Sequence, residues 1–165
     1  MEDLNVFKIH SDPWKYPANW IRNVRLFGRK CKWAYQRVTR GFCDYDAYDL
    51  DSYYLTLFYK TITHLADVTH GYPGDEEFPT PEAWDKYLRE LAQDFYRANE
   101  SNNYYPTPAE AAWWEEVKDL KEPWHHNSPA TNAMIKETTD NYKLRRKDME
   151  EGLDKLKHVF FNLWD

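Results

Sequence analysis

Four aspartates, Asp44, Asp46, Asp49 and Asp51, stand within one short stretch of the chain, and clustered carboxylates are the hard oxygen ligands that Mg²⁺ and Ca²⁺ prefer. Their spacing does not make a calcium loop of the EF-hand kind, which needs Gly at the sixth position and Glu at the twelfth. The competing reading is local: Asp44 caps the helix that follows, Asp46 favours the positive end of its dipole, and the others pair with Arg37 or Arg40. Arg37, Arg40, Gly41 and Asp44 would then form a structural corner. The pairs Glu116/Asp119, Glu137/Asp140 and Glu151/Asp154 have the E-x-x-D spacing with which all-α nucleotide pyrophosphatases hold Mg²⁺, but most have Lys or Arg three or four residues away, as solvated faces do. His64 and His70 are isolated from any nucleophile, and His125-His126 sit in a polar linker. Cys31 falls on an apolar helix face, and no His or Asn context makes Cys43 a nucleophile.

The sharper signal is electrostatic. Residues 15–43 hold 8 basic side chains and no acidic one, whereas residues 44–122 hold 6 basic and 18 acidic, within a net charge of −6. From about Asn19 to Arg40 the residues alternate as in an amphipathic helix, with Trp20, Val24, Phe27, Cys31, Ala34, Tyr35 and Val38 on one face and Arg22, Arg25, Arg29, Lys32, Gln36 and Arg40 on the other. Arg22, Arg25, Arg29 and Lys32 would line up over about 15 Å, enough to follow several phosphates of a nucleic acid. Net acidity weighs towards the other reading, in which this stripe meets an acidic protein surface.

Aromatic side chains make up 18% of the chain. Trp20, Tyr35, Tyr54, Phe58, Trp84, Tyr87, Phe95 and Phe160 fall on apolar helical stripes and read as core. Tyr104, Tyr105, Trp114, Trp124 and Trp164 do not. Adjacent aromatics cannot all face one core, and Trp and Tyr near Arg are what interfaces use as anchors and what stacks on bases.

The elements that position these groups read as helices. Thr80-Pro81, Thr107-Pro108 and Ser128-Pro129 each offer a hydroxyl N-cap followed by proline at the first helical position, and Glu110 would complete a capping box with Thr107. The expected helices cover about 19–40, 44–69 (stripe Leu50, Tyr54, Leu57, Phe58, Leu65, Val68), 81–99 (Trp84, Tyr87, Leu88, Leu91, Phe95), 108–121 and 129–163, the last with a flaw near Gly152. Leu4 to Ile9 could form a short edge strand. The reading is an all-α compact bundle of about five helices in one domain, 1–165, with an N-terminal arm over 1–18 and loops at 100–107 and 122–128. Two cysteines without C-x-x-C pairing suggest a reducing compartment, no run is long enough to cross a bilayer, and no membrane partner is expected.

The stretch Arg37-Val-Thr-Arg-Gly-Phe-Cys-Asp-Tyr-Asp-Ala-Tyr-Asp-Leu-Asp51 resembles a signature in small uncharacterised proteins of tailed phages and prophages: basic residues, Gly, an aromatic, Ser, Asp, then spaced Asp, Trp and Leu-Asp. His70-Gly71-Tyr72-Pro73, the 80–95 stretch with Trp84, and Leu163-Trp164-Asp165 extend the similarity. The chain departs at Cys43, where the pattern has Ser, and at Tyr48, where it has Trp. The resemblance implies a phage origin and the host cytoplasm, and no activity. The expectation is therefore a non-enzymatic accessory protein without cofactor or metal, acting on a protein partner, either a host component or a second copy. Nucleic-acid or nucleotide binding through helix 22–40 is the alternative, and a Mg²⁺-dependent nucleotide hydrolase using Asp44 to Asp51 the next.

Overall fold

A computed structural model describes residues 17–120 and 127–163, with the side chains of the first helix described from Val24 onward. The protein is all-α: six helices and no strand occur among the described residues. The Leu4 to Ile9 strand and the His125-His126 linker lie outside them. No described helix is long and apolar enough to cross a membrane.

The chain divides into two compact units, Met1–Tyr54 and Leu55–Asp165. In the first, α1 spans Pro17–Arg40 and α2 spans Asp44–Tyr48. The expected helix 44–69 is in fact two: Asp49 ends α2 with φ −117° and ψ 60°, and α3, Leu50–Val68, begins at the next residue and continues into the second unit. Gly41 takes φ +81°, a left-handed conformation that costs glycine least, and it ends α1. The residue that caps α2 is Cys43 and not Asp44; Asp44 falls at the first helical position, where its charge favours the dipole.

The second unit is built on α4 (Pro81–Ala98), α5 (Pro108–Val117) and α6 (Pro129–Val159), with short 3-10 turns at Glu100–Asn102 and Phe160–Asn162. Two of the three Ser/Thr-Pro starts behave as expected: the Thr80 hydroxyl accepts from the Ala83 N–H at 3.3 Å, and Ser128 and Thr131 cap one another. The third does not, because Thr107 makes no side-chain cap bond. The carboxylate of Glu137, on α6, accepts from the N–H groups of Ala109 and Glu110 at 3.0 Å, so a neighbouring helix supplies the anion that the α5 N-terminus attracts.

The core forms where α4 meets α6. Trp84, Leu88, Leu91, Ala92 and Phe95 recur at helical spacing along α4 and pack with Ile62, Ala66, Phe78, Leu156 and Val159. The Phe78 ring stands edge-on to Trp84 and Tyr87, 4.9 Å from each centroid, an arrangement aromatic quadrupoles favour. Burying a side chain such as Phe95, which has no exposed surface, stabilises the fold by about 2–3 kcal/mol.

Several expected core positions are exposed. On α3, Thr56, Ile62 and Ala66 turn inward while Leu50, Tyr54, Leu57 and Val68 do not. Phe160 and Leu153 are exposed as well. Helix α6 runs through Gly152 without a break.

Candidate functional site

Among the described residues, the α1 face expected to be core is open except at half-buried Ala34; the side chain of Trp20 lies outside them. Val24, Phe27, Tyr35 and Val38 retain 57, 49, 70 and 86% of their surface, and Cys31 is exposed too. The inward side of the helix is displaced from this stripe, to half-buried Leu26, Lys30, Trp33 and Arg37. Two contacts explain the displacement. The Arg37 guanidinium donates from Nε to Asp46 Oδ2 at 2.8 Å and from Nη2 to Asp46 Oδ1, and the Trp33 ring lies 5.2 Å from that of Tyr45. Both fix the roll of α1 about its axis against α2, and the apolar stripe is left on the outside.

Arg37, Arg40, Gly41 and Asp44 do form one corner. Asp46 completes it: buried, it accepts from Arg37 and from the Cys43 N–H at 2.8 Å. The Arg37 bond, helped by the Cys43 donor, outweighs burial and holds this carboxyl at about 2. Asp46 in turn raises the Arg37 guanidinium. Asp44 is exposed and accepts from Gln36, Lys32 and Arg40 at 2.8, 2.9 and 2.8 Å, which together hold it well below the usual carboxylate range. The Tyr53 hydroxyl donates to the Gly41 carbonyl at 2.7 Å. For metal chemistry the consequence is direct, since the positions a cation would take beside Asp44 and Asp46 are filled by side-chain cations. Asp49 terminates α2 and Asp51 lies in the first turn of α3, where a carboxylate has a helix-end role.

The same pairs divide the basic stripe. Lys32 and Arg40 are committed to Asp44, whereas Arg25 and Arg29 are exposed and lie beside no ion-pair partner among the described residues. The side chain of Arg22 lies outside the described residues, as do Trp124 and Trp164.

In the second unit Tyr104 and Tyr105 come together, their rings 5.1 Å apart, on a cleft of about 170 Å³ lined also by Arg97, Asn103, Glu110, Asn141 and Arg145. Beneath it lies a polar network that sequence reasoning missed. Asp94 and Asp148, only 1% and 7% exposed, are bridged by Arg97, whose Nε donates to Asp148 at 3.0 Å and whose Nη2 donates to Asp94. Lys155 donates to Asp94 at 2.6 Å, and the Tyr105 hydroxyl donates to Asp148. Burial and the bond to Asp148 push the Tyr105 phenol up to about 12. Burial pulls the Arg97 guanidinium down, but Asp148 and Asp94 more than reverse it. Asp94, Asp148 and Glu151 could converge on a metal ion, yet Arg97 and Lys155 already balance the two buried charges. Each of these groups has its partner inside the protein, so the network pins α4, α6 and the 99–107 connection together. The signal in the sequence was Asp94 and Arg97, three residues apart on the inner side of α4. Trp114 lies outside this cleft, half exposed, 4.8 Å from the buried ring of Trp113.

Compared with known proteins, the chain matches no family model, no curated protein and no solved structure.

Proposed function

We propose that this protein acts by binding and not by catalysis, and that α1 is the element through which it docks a protein partner. One observation carries the reading: a helix whose apolar stripe is exposed at Val24, Phe27, Cys31, Tyr35 and Val38 and whose opposite face is basic. Exposed apolar surface at this density, flanked by Arg and aromatic side chains, is what protein interfaces are made of. The fixed charge pattern favours a protein over nucleic acid, because Asp44 takes up two of the cations that would otherwise follow a phosphate chain. The resemblance to small phage proteins supplies a setting, the host cytoplasm, with host machinery or a host defence component downstream.

The test is a pair of variants. Val24→Glu/Val38→Glu should abolish protein association and leave the thermal transition of the second unit unchanged, and association of undiminished strength would overturn the reading. Arg25→Glu/Arg29→Glu serves the alternative: salt-dependent binding to DNA or RNA that this pair removes would replace a protein partner with a nucleic-acid one.

A further inference from the structure

The cleft of the second unit carries an inference independent of α1: we propose that it binds a guanine base. Two charged side chains on its wall have bonding capacity that the fold leaves unused. Glu110 is half-buried, yet its carboxylate has no hydrogen-bond or ion-pair partner among the described residues. It has no helix-end task either, since Thr107 makes no side-chain cap bond and the α5 N-terminus takes its anion from Glu137. Arg145 is the counterpart. Its side chain is 18% exposed, and its partner, Glu100, stands 75% exposed at 3.2 Å from Nη1. So open an ion pair is worth little, and the other N–H groups of the guanidinium have no acceptor among the described residues. Arg97 also lines the cleft, but Asp94 and Asp148 hold it.

Placement then sets the size of the ligand. The Glu110 N–H donates to Glu137 at 3.0 Å, so residue 110 enters beside residue 137 of α6, and Arg145 follows two turns on, about 12 Å along the helix. A bicyclic heterocycle with a hydrogen bond at each end fills that span. The cleft, of about 170 Å³, has the room of roughly five or six waters at about 30 Å³ each, enough for a base whose sugar stays in solvent. Tyr104 supplies a platform. Its ring is 48% exposed and meets Tyr96 and Tyr105 at interplanar angles of 84° and 90°, so neither neighbour stacks on its face, and aromatic faces stack on bases of every kind. Selectivity falls to the two edge groups. A carboxylate accepts from two adjacent donors, and a guanidinium fork donates to two adjacent acceptors. Guanine alone among the common bases presents both, N1–H with N2–H on one edge and O6 with N7 on another. Cytosine offers the acceptor pair alone, and adenine and uracil offer neither.

Isothermal titration calorimetry of the full chain with guanosine tests this, with adenosine, cytidine and uridine alongside. The expected result is saturable guanosine binding, about tenfold or more tighter than that of the other nucleosides. Inosine lacks the N2 amine and 7-deazaguanosine lacks N7, so each should bind about tenfold more weakly than guanosine. Glu110→Gln should weaken guanosine and remove its lead over inosine, and Arg145→Gln should do the same for 7-deazaguanosine. Tyr104→Ala should weaken guanosine by about tenfold, whereas Tyr104→Phe keeps the platform and the affinity. The thermal transitions of these variants should stay close to wild type, because the groups removed have little or no bonding to lose. No saturable guanosine binding would overturn the proposal, as would guanosine binding that survives both Glu110→Gln and Arg145→Gln, or inosine or cytidine binding as strong as that of guanosine. The RNA UUGUU, set against UUCUU, separates the sources of the base. Tighter binding than free guanosine assigns it to a single-stranded nucleic acid, and equal or weaker binding to a free nucleoside or nucleotide. Val24→Glu/Val38→Glu lies outside this unit and should bind guanosine as the wild type does, whatever becomes of the docking reading.

Discussion

Gly152 of α6 lies against the ring of Phe95 on α4: a Cβ at residue 152 would stand 3.0 Å from Phe95 Cε1 and 3.3 Å from the Asp94 Cβ. The glycine expected to flaw α6 thus sits where the helix packs directly against a fully buried ring. Gly152→Ala gains about 1 kcal/mol of helix propensity, but overpacking a ring that cannot give way costs about 1–3 kcal/mol. The expected outcome is a net loss near 1 kcal/mol, read as a lower urea midpoint at unchanged slope, with Gly152→Leu losing clearly more.

Gly28 is the opposite case. It lies inside α1, and nothing stands within 4 Å of where its Cβ would be. Gly28→Ala should raise helicity by circular dichroism and stabilise the α1 unit by up to about 1 kcal/mol, because no contact opposes the propensity gain.

Tyr105→Phe removes one donor to a buried carboxylate and should cost about 1–3 kcal/mol. A pH signature accompanies the loss, because burial first and the bond to Asp148 second raise the phenol. The phenol titrates at 10.0 unperturbed and at about 12 in the fold. Its contribution is therefore fully present below pH 10 and is lost as pH rises towards 12. The stability gap between wild type and Tyr105→Phe should shrink over that alkaline window, and a gap that stays constant would show that the fold does not hold the phenol in its neutral form.

Helix existence was legible because caps and apolar periodicity are local: Thr80 and Ser128 start their helices where a hydroxyl followed by proline said they would. What failed depended on partners distant in the chain. Thr107 yields the α5 N-terminus to Glu137, which no spacing around residue 107 reveals. The stripe of α1 was read correctly as a face, but periodicity does not say whether a face is covered, and the Arg37–Asp46 fork rolls it outward. The corner was half legible, because Arg37 and Arg40 did find aspartates, whereas the roles of Asp44 and Asp46 depend on where α2 begins. The Asp94–Arg97–Asp148 network escaped because its members are 51 residues apart at the Arg97 to Asp148 bond.

Cys43 caps α2. Serine is among the preferred N-cap residues, with a hydroxyl able to accept from the backbone one turn on. Cys43→Ser should therefore be stabilising or neutral, by up to about 1 kcal/mol, and should slow amide exchange at Asp46. Faster exchange there would mean that the buried thiol contributes more by packing than a hydroxyl would by capping.

Acid should open the α1–α2 corner before it unfolds the second unit's core. Asp46 titrates at 3.8 unperturbed and at about 2 in the fold, held down chiefly by the Arg37 fork. A lowered carboxyl stabilises the folded state fully above its unfolded value and loses that contribution as pH falls through the folded one. The window is therefore pH 4 to 2, and the contribution at neutral pH is on the order of 1–2 kcal/mol. Asp46→Asn should cost about that much at pH 7, seen as faster amide exchange from Cys43 to Ala47, and the difference from wild type should close as pH approaches 2. Arg37→Lys should recover only part of the protection, since an ammonium cannot present the two parallel donors that Asp46 accepts. Full recovery by Lys would show that charge alone, without the fork, sets the roll of α1 and hence which of its faces is left for a partner.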